Sequence, residues 1–204
     1  MQTDVTILDL GIGNARSVHN MLTRIGVRTA FADSEEQIYS ASRLILPGVG
    51  SFDRGVAALD SFSGVRAAMT EMVCERRIPF MGICLGMQMI YEASDEGEKL
   101  GLGWLSGRSR KIATQVKLPI PQMGWNTVRI ERHNSLAAQD REYKFYFAHS
   151  YCVEPKNASE VVGTAEYGGT ITAIVNRDNI FGVQFHPEKS HRFGLDLLRT
   201  FSGL

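Results

Sequence analysis

With 204 residues the chain is long enough to bury roughly 70% of its unfolded surface, so a single domain over residues 1–204 is expected without covalent staples. Its 22 basic and 22 acidic side chains balance, which excludes the cationic footprint of a nucleic-acid binder and the charged patch of a protein held on anionic membranes. Three cysteines, Cys74, Cys84 and Cys152, are an odd number without CxxC spacing, so neither a disulfide frame nor a zinc site is expected.

The N-terminus, MQTDVTILDLG, has no basic stretch leading into a long apolar core, and no apolar window approaches roughly 18 residues; the cytoplasm is the expected compartment. Val5 to Leu10 reads as a strand, broken at Gly11 to Asn14 (GIGN) before a helical stripe of Val18, Met21, Leu22 and Ile25. A dinucleotide fingerprint needs a third small residue where Arg16 stands, so these glycines are turn residues that let a ligand or partner come close, and no cofactor is expected. Arg28 to Ala32 is a second strand, Ser34 to Ser40 a short helix capped by Ser34 or Asp33, and Arg43 to Leu46 a third strand. That strand opens into PGVGSFDRG, Pro47 to Gly55, expected as an exposed loop whose amides can cradle an anion.

A helix from about Gly64 to Arg76 leads to the apolar strand Phe80 to Ile83. From Ala93 to Pro121 the pattern loosens into loop and short strands, and PQMGWN, Pro121 to Asn126, reads as a turn. Alternation then takes over at Val128 and Ile130, Phe145 and Phe147, Val161 to Ala165, Ile171 to Val175 and Phe181 to Phe185, with a hairpin turn at Arg177-Asp178-Asn179. An amphipathic helix, Phe193 to Phe201, closes the chain. The expected fold is α/β: a mostly parallel sheet flanked by helices, antiparallel strands in the second half, and ligands at the carboxyl ends of the parallel strands.

Two stretches carry chemistry. In GICLG, Cys84 sits where a strand turns at once into a helical pattern, with Gly82 and Gly86 two residues to either side. This is the logic of a nucleophile elbow with sulfur in place of oxygen, and the helix N-terminus behind it favours a thiolate and a neighbouring oxyanion. In FGVQFHPE, His186 and Glu188 flank one proline, and in extended chain residues two apart face the same side. The pattern suits a cysteine–histidine–carboxylate relay, in which histidine moves the proton and glutamate fixes its tautomer. His149 ends another strand without an adjacent acid and is expected to line the site.

GICLGMQ followed by QFHPE resembles the class I (triad) glutamine amidotransferases over nearly the whole chain. Within that family DLGIGN, PGVGSF, MGWN, FYFAHSY and QFHPEKS are similar to the glutaminase subunits of imidazole glycerol phosphate synthases. The resemblance implies a flavodoxin-like sheet, glutamine as substrate, no metal or cofactor, and a separate (β/α)8-barrel cyclase as heterodimer partner in histidine biosynthesis. It implies that Cys84 attacks the carboxamide, His186 protonates the departing ammonia and Glu188 orients His186. Backbone N–H groups of Leu85 and of the Val49–Gly50 region would hold the oxyanion, while Gly48, Gln88, Glu96, His149, Ser150 and Tyr151 would hold glutamine. Asn14, Met123, Trp125 and Lys189 match the docking face. Val49, unlike glycine, resists some backbone orientations, so the loop peptide is expected to rest with its carbonyl in the oxyanion hole and to flip on activation.

The chain departs from the family pattern at Leu10, where tyrosine is frequent, at Gln122, where histidine is frequent, and at HRFG after QFHPEKS, where smaller residues are usual. None of these is a triad position. Glutaminase subunits of the anthranilate, aminodeoxychorismate, guanylate or pyridoxal pathways are the alternative reading, and a further one is a non-catalytic regulatory subunit.

Overall fold

A computed structural model describes residues 3–114, 116–139 and 141–204. The strands are β1 (Val5–Leu8), β2 (Thr29–Ala32), β3 (Leu44–Gly48), β4 (Phe80–Cys84), β5 (Ala93–Ser94), β6 (Gly107–Lys111), β7 (Gln122–Ile130), β8 (Tyr143–His149), β9 (Tyr151–Pro155), β10 (Val161–Glu166), β11 (Thr170–Arg177) and β12 (Ile180–Val183). The α-helices are α1 (Ala15–Arg24), α2 (Glu35–Tyr39), α3 (Phe52–Ser61), α4 (Val65–Thr70), α5 (Leu85–Met89) and α6 (His191–Ser202). The large sheet runs β2-β1-β3-β4-β12-β11-β10-β7-β8, and β5, β6 and β9 form a small second sheet.

β1, β3, β4 and β12 are buried at every position, as expected of strands covered on both faces. One face lies under α1 and α6, through Val18, Leu22, Leu198 and Phe201 against Val5, Ile45 and Met81. The other lies under α3 and α4, through Leu59 and Met69 against Leu44, Leu46 and Phe80. Ser34 is the N-cap of α2, and Gln37 Oε1 reaches back to accept the Asp33 and Ser34 N–H groups at 2.9 and 3.2 Å.

The parallel first half and the antiparallel second half are both present, but the last strand crosses between them. β12 pairs antiparallel with β11 through the turn at Asp178 and Asn179, yet lies parallel beside β4, with Ile180 opposite Phe80 and Val183 opposite Ile83. That crossing carries the end of the chain to the side of Cys84. Three further expectations are corrected. The glycine loop is shorter than Pro47 to Gly55, because α3 begins at Phe52, whose N–H is taken by the Glu96 carboxylate at 2.8 Å. PQMGWN is no turn; all but Pro121 lies in β7, where Gly124 has φ +126° and pairs with Phe147. The helix from Gly64 loosens into a π turn at Glu71–Glu75.

Candidate active site

The bend at Cys84 is built by backbone strain and close packing. Cys84 ends β4 with φ 53° and ψ −107°, a conformation that costs an L-residue about 1–3 kcal/mol and persists because the surroundings leave no other course. Those surroundings need glycine: a Cβ on Gly86 would collide with the Leu46 carbonyl, and one on Gly82 with the Gly86 backbone. The bend thus seats α5 against β3 and turns the sulfur toward a cavity of about 480 Å3. α5 is only Leu85–Met89, so its dipole contributes less than the sequence pattern suggests; the Leu85 N–H at its first position is a donor without an intrahelical partner.

His186 reaches Cys84 from the next strand. β12 stops at Val183, and the following residues are pinned rather than paired in a ladder: Phe185 stacks on Phe145 with ring centroids 3.7 Å apart, and the His186 N–H donates to Tyr146 O at 2.8 Å. Pro187–Lys189 then form a 3-10 turn, so His186 and Glu188 meet by bending, and not by the alternation of an extended strand. His186 Nδ1 lies 2.8 Å from Glu188 Oε1, with both side chains almost fully buried. Burial opposes charge on the ring, but the neighbouring Cys84 sulfur and the hydrogen-bonded Glu188 carboxylate outweigh it and hold the His186 pKa up at about 10. The ring therefore keeps a proton between sulfur and carboxylate, as a shuttle requires.

Val49, Gly50, Leu85, Gln88, Glu96, His149, Ser150, Tyr151, Met123 and Lys189 line the cavity together with Cys84 and His186. Gly48 lies behind it, opposite Cys84 in the β3–β4 register. The loop it opens is occupied, however. Gly13 approaches Pro47 so closely that any Cβ there would strike the Pro47 carbonyl, and at this contact the Val49 N–H donates to Ile12 O. Val49 is thus not free to receive an oxyanion in this arrangement, whereas Gly50, at φ +97°, stands exposed beside it.

Across the cavity the Tyr151 carbonyl accepts from two side chains, Gln88 Nε2 at 2.9 Å and His149 Nδ1 at 2.8 Å. Burial lowers the His149 pKa to about 4, so the ring is neutral and its proton sits on Nδ1, facing a group that can only accept. His149 Nε2, then an acceptor, lies 3.0 Å from Gln122 Oε1, and this pair becomes a hydrogen bond when the Gln122 amide is turned end for end with its NH2 toward the ring. Gln122, a departure from the family pattern, is a buried partner of the site wall.

Met123, which lines the cavity with Val49, is 67% exposed, and Trp125, two residues further along β7, is 49% exposed; Val49 is 46% exposed. His191, from the HRFG departure, stacks on Trp125 with centroids 5.3 Å apart, and Lys189 Nζ lies 5.6 Å from the centre of the Tyr146 ring. Asn14, the N-cap of α1, is outside the cavity lining and belongs to the neighbouring Gly11–Asn14 loop. Among the described residues no cluster of three His, Cys, Asp or Glu could hold a metal, and no helix is long and apolar enough to cross a membrane.

Three groups at the site are not foreseen from the sequence pattern: the Ile12 carbonyl; Ser190, whose hydroxyl donates to His186 O at 2.6 Å; and Gln184, whose Nε2 lies 3.6 Å from Cys84 Sγ. A backbone carbonyl leaves no sequence signal. Gln184 has one, two residues before His186 on the same run.

The chain is 43% identical to the imidazole glycerol phosphate synthase subunit HisH of Leptospira interrogans, over 98% of this chain and 100% of that one. It is 44% identical to the imidazole glycerol phosphate synthase subunit HisH 2 of Pseudomonas aeruginosa, over 97% and 98%. Among solved structures, PurLQS from Thermotoga maritima superposes with TM-score 0.75 at 17% identity, covering 98% of both chains. The glutaminase domain of CTPS from Trypanosoma brucei, with bound acivicin, gives 0.64 at 15%, covering 98% of this chain and 93% of that one, and these two likenesses speak for the fold alone. The family model described as glutamine amidotransferase class-I matches residues 6–202, a span that takes in the elbow, the histidine–glutamate pair and the sheet that joins them. The chain belongs to the class-I glutamine amidotransferases, and within them to the family of the imidazole glycerol phosphate synthase HisH subunits.

Proposed function

We propose that this chain is the glutaminase subunit of a cytoplasmic imidazole glycerol phosphate synthase. It hydrolyses glutamine to glutamate and ammonia and passes the ammonia to a (β/α)8-barrel cyclase subunit, which makes imidazole glycerol phosphate and AICAR in histidine biosynthesis. The observation that carries the reading is the strained Cys84 facing a His186 that is itself bonded to Glu188 at 2.8 Å.

In the reaction Cys84 sulfur adds to the carboxamide carbon, and the oxygen gains charge next to the Leu85 N–H and the Val49–Gly50 peptides. His186 gives its proton to the nitrogen, the C–N bond breaks, and ammonia leaves a γ-glutamyl thioester. Water then gives a proton to His186 and attacks the thioester, releasing glutamate and the sulfur. Each oxyanion donor is worth on the order of 3 kcal/mol in comparable acyl transfers. Gln88, Glu96 and the His149–Tyr151 segment hold the amino-acid end of glutamine, and Met123, Trp125 and Lys189 meet the cyclase.

The Val49–Ile12 hydrogen bond supports a latent form of this site, since one oxyanion donor is engaged elsewhere until the loop turns. Docking of the cyclase at the adjacent mouth is the event that releases it. Glutaminase activity assayed with and without co-purified cyclase and its nucleotide substrate tests the reading. Activation by the partner is expected, and full activity of the isolated chain, or any activity of Cys84→Ala, overturns the corresponding part.

A further inference from the structure

We infer that Gln184 is a positioning residue that holds the Cys84 sulfur and the Gln88 side chain in one hydrogen-bonded relay anchored on the Tyr151 carbonyl; this rests on the assignment of Cys84 as nucleophile. The direction of the relay is dictated at its far end. A carbonyl oxygen can only accept, so the Gln88 group facing Tyr151 O at 2.9 Å is its NH2. The second hydrogen of that NH2 points to Gln184, 3.2 Å away, so the Gln184 atom there is its oxygen. The Gln184 NH2 then faces Cys84 Sγ at 3.6 Å.

Gln184 is wholly buried, and its backbone is fixed as well, the N–H donating to Ala173 O at 2.9 Å. A buried amide is tolerated when both its ends are paired, and here the pairs are the sulfur and Gln88. An N–H donor gains strength when its acceptor becomes charged, so this contact is worth more to a thiolate than to a thiol. It also uses up the Gln88 NH2, leaving Gln88 Oε1 as the polar atom available to the cavity that Gln88 lines. Attacking atom and binding side chain are thereby set at a fixed spacing by one amide. His186, backed by Glu188, is the ionisable group facing the sulfur from the turn after β12, and it is unaltered in the variants below.

The test is the pH dependence of Cys84 alkylation by iodoacetamide in the full chain, with the labelled residue identified by mass spectrometry. Gln184→Met keeps length and burial but cannot donate; Gln184→Glu keeps an acceptor for Gln88 and sets a carboxylate against the sulfur. The profile is expected to move to higher pH by roughly half a unit to one unit in the first, a three- to tenfold loss of rate on the rising limb, and further in the second. In the complex with the cyclase, KM for glutamine is expected to rise in Gln184→Met as the Gln88 NH2 loses one of its two acceptors. Folded variants that alkylate with the wild-type profile overturn the inference, because a side chain that merely fills space would alter stability and leave that profile in place. Should Gln184→Met not fold, Gln184→Asn, a buried amide one methylene too short to reach both partners, decides by the same readout. Alkylation needs no turnover, so its outcome is separate from that of the Cys84→Ala glutaminase assay.

Discussion

The Val49 N–H is donated to the carbonyl of Ile12, and this bond joins the glycine loop beside Cys84 to the loop after β1. Neither loop makes the contact through a side chain. Gly13 permits it by leaving room at Pro47, and Val49 stabilises it because a β-branched residue has fewer backbone alternatives than glycine.

Val49→Gly is therefore expected to raise basal glutaminase activity of the isolated chain. A hydrogen bond of this kind is worth about 1 kcal/mol net, so the gain is roughly two- to tenfold, with a smaller further activation by the cyclase. Initial rates of glutamate release, measured with and without partner, check this. An unchanged or lower basal rate would mean that the bond does not limit the isolated chain.

Glu188→Gln retains shape and removes the charge that supports the protonated ring. Burial alone would lower the His186 pKa, and the Cys84 and Glu188 contacts are what reverse that, so the variant should titrate His186 at lower pH. A fall in kcat on the order of 100-fold is expected with little change in KM, because the contact serves proton transfer and not binding. A pH–rate profile of the complex and an NMR titration of the imidazole test both halves.

Much of this is legible in the sequence because buried strands and elbows impose composition. β1, β3 and β4 are buried at every position and, but for Thr6, carry no polar side chain besides the Cys84 thiol, and Gly82 and Gly86 mark the tight bend at Cys84 by chemistry that only glycine allows. The place of β12 is hidden: an apolar run of four residues reads alike whether its neighbour is parallel or antiparallel, so its pattern groups it with the hairpins. The start of α3 is hidden for another reason, since its first N–H is satisfied by Glu96, 44 residues away, and not by a local cap. Gln122 shows in the sequence only as a departure from the family pattern and Gln184 only by its place two residues before His186, because the partners of an uncharged amide are set by residues distant in the chain.

The exposed apolar side chains of Met123 and Trp125 on β7 make a separate prediction. Trp125→Ala removes a large exposed ring together with its stack on His191. If this face receives the cyclase, affinity should fall by about 2 kcal/mol, some thirtyfold in Kd, as for an aromatic anchor near an interface centre. Calorimetric titration with the cyclase reads the affinity, and iodoacetamide labelling of Cys84 shows that the site itself is intact. Wild-type affinity would place the docking surface elsewhere.

His149 predicts a pH dependence of stability whose sign is opposite to that of its neighbour. Buried and neutral in the fold, it takes up a proton only near pH 4, whereas in the unfolded chain it does so near 6.5. Between those values the unfolded state binds more protons, so stability rises with pH across the window. The contribution is complete above about 6.5, is lost as pH falls through 4, and amounts to about 3 kcal/mol. His186, with its pKa raised to about 10, contributes fully below 6.5 and loses that contribution as pH rises through 10, outside the acid window. Urea unfolding from pH 4 to 7 should accordingly show a steeper gain in the wild type than in His149→Gln, which keeps a polar side chain without a titrating group. Equal slopes in the two proteins would show that His149 is charged or solvated in the fold, and would remove the argument that its Nε2 is an acceptor for Gln122.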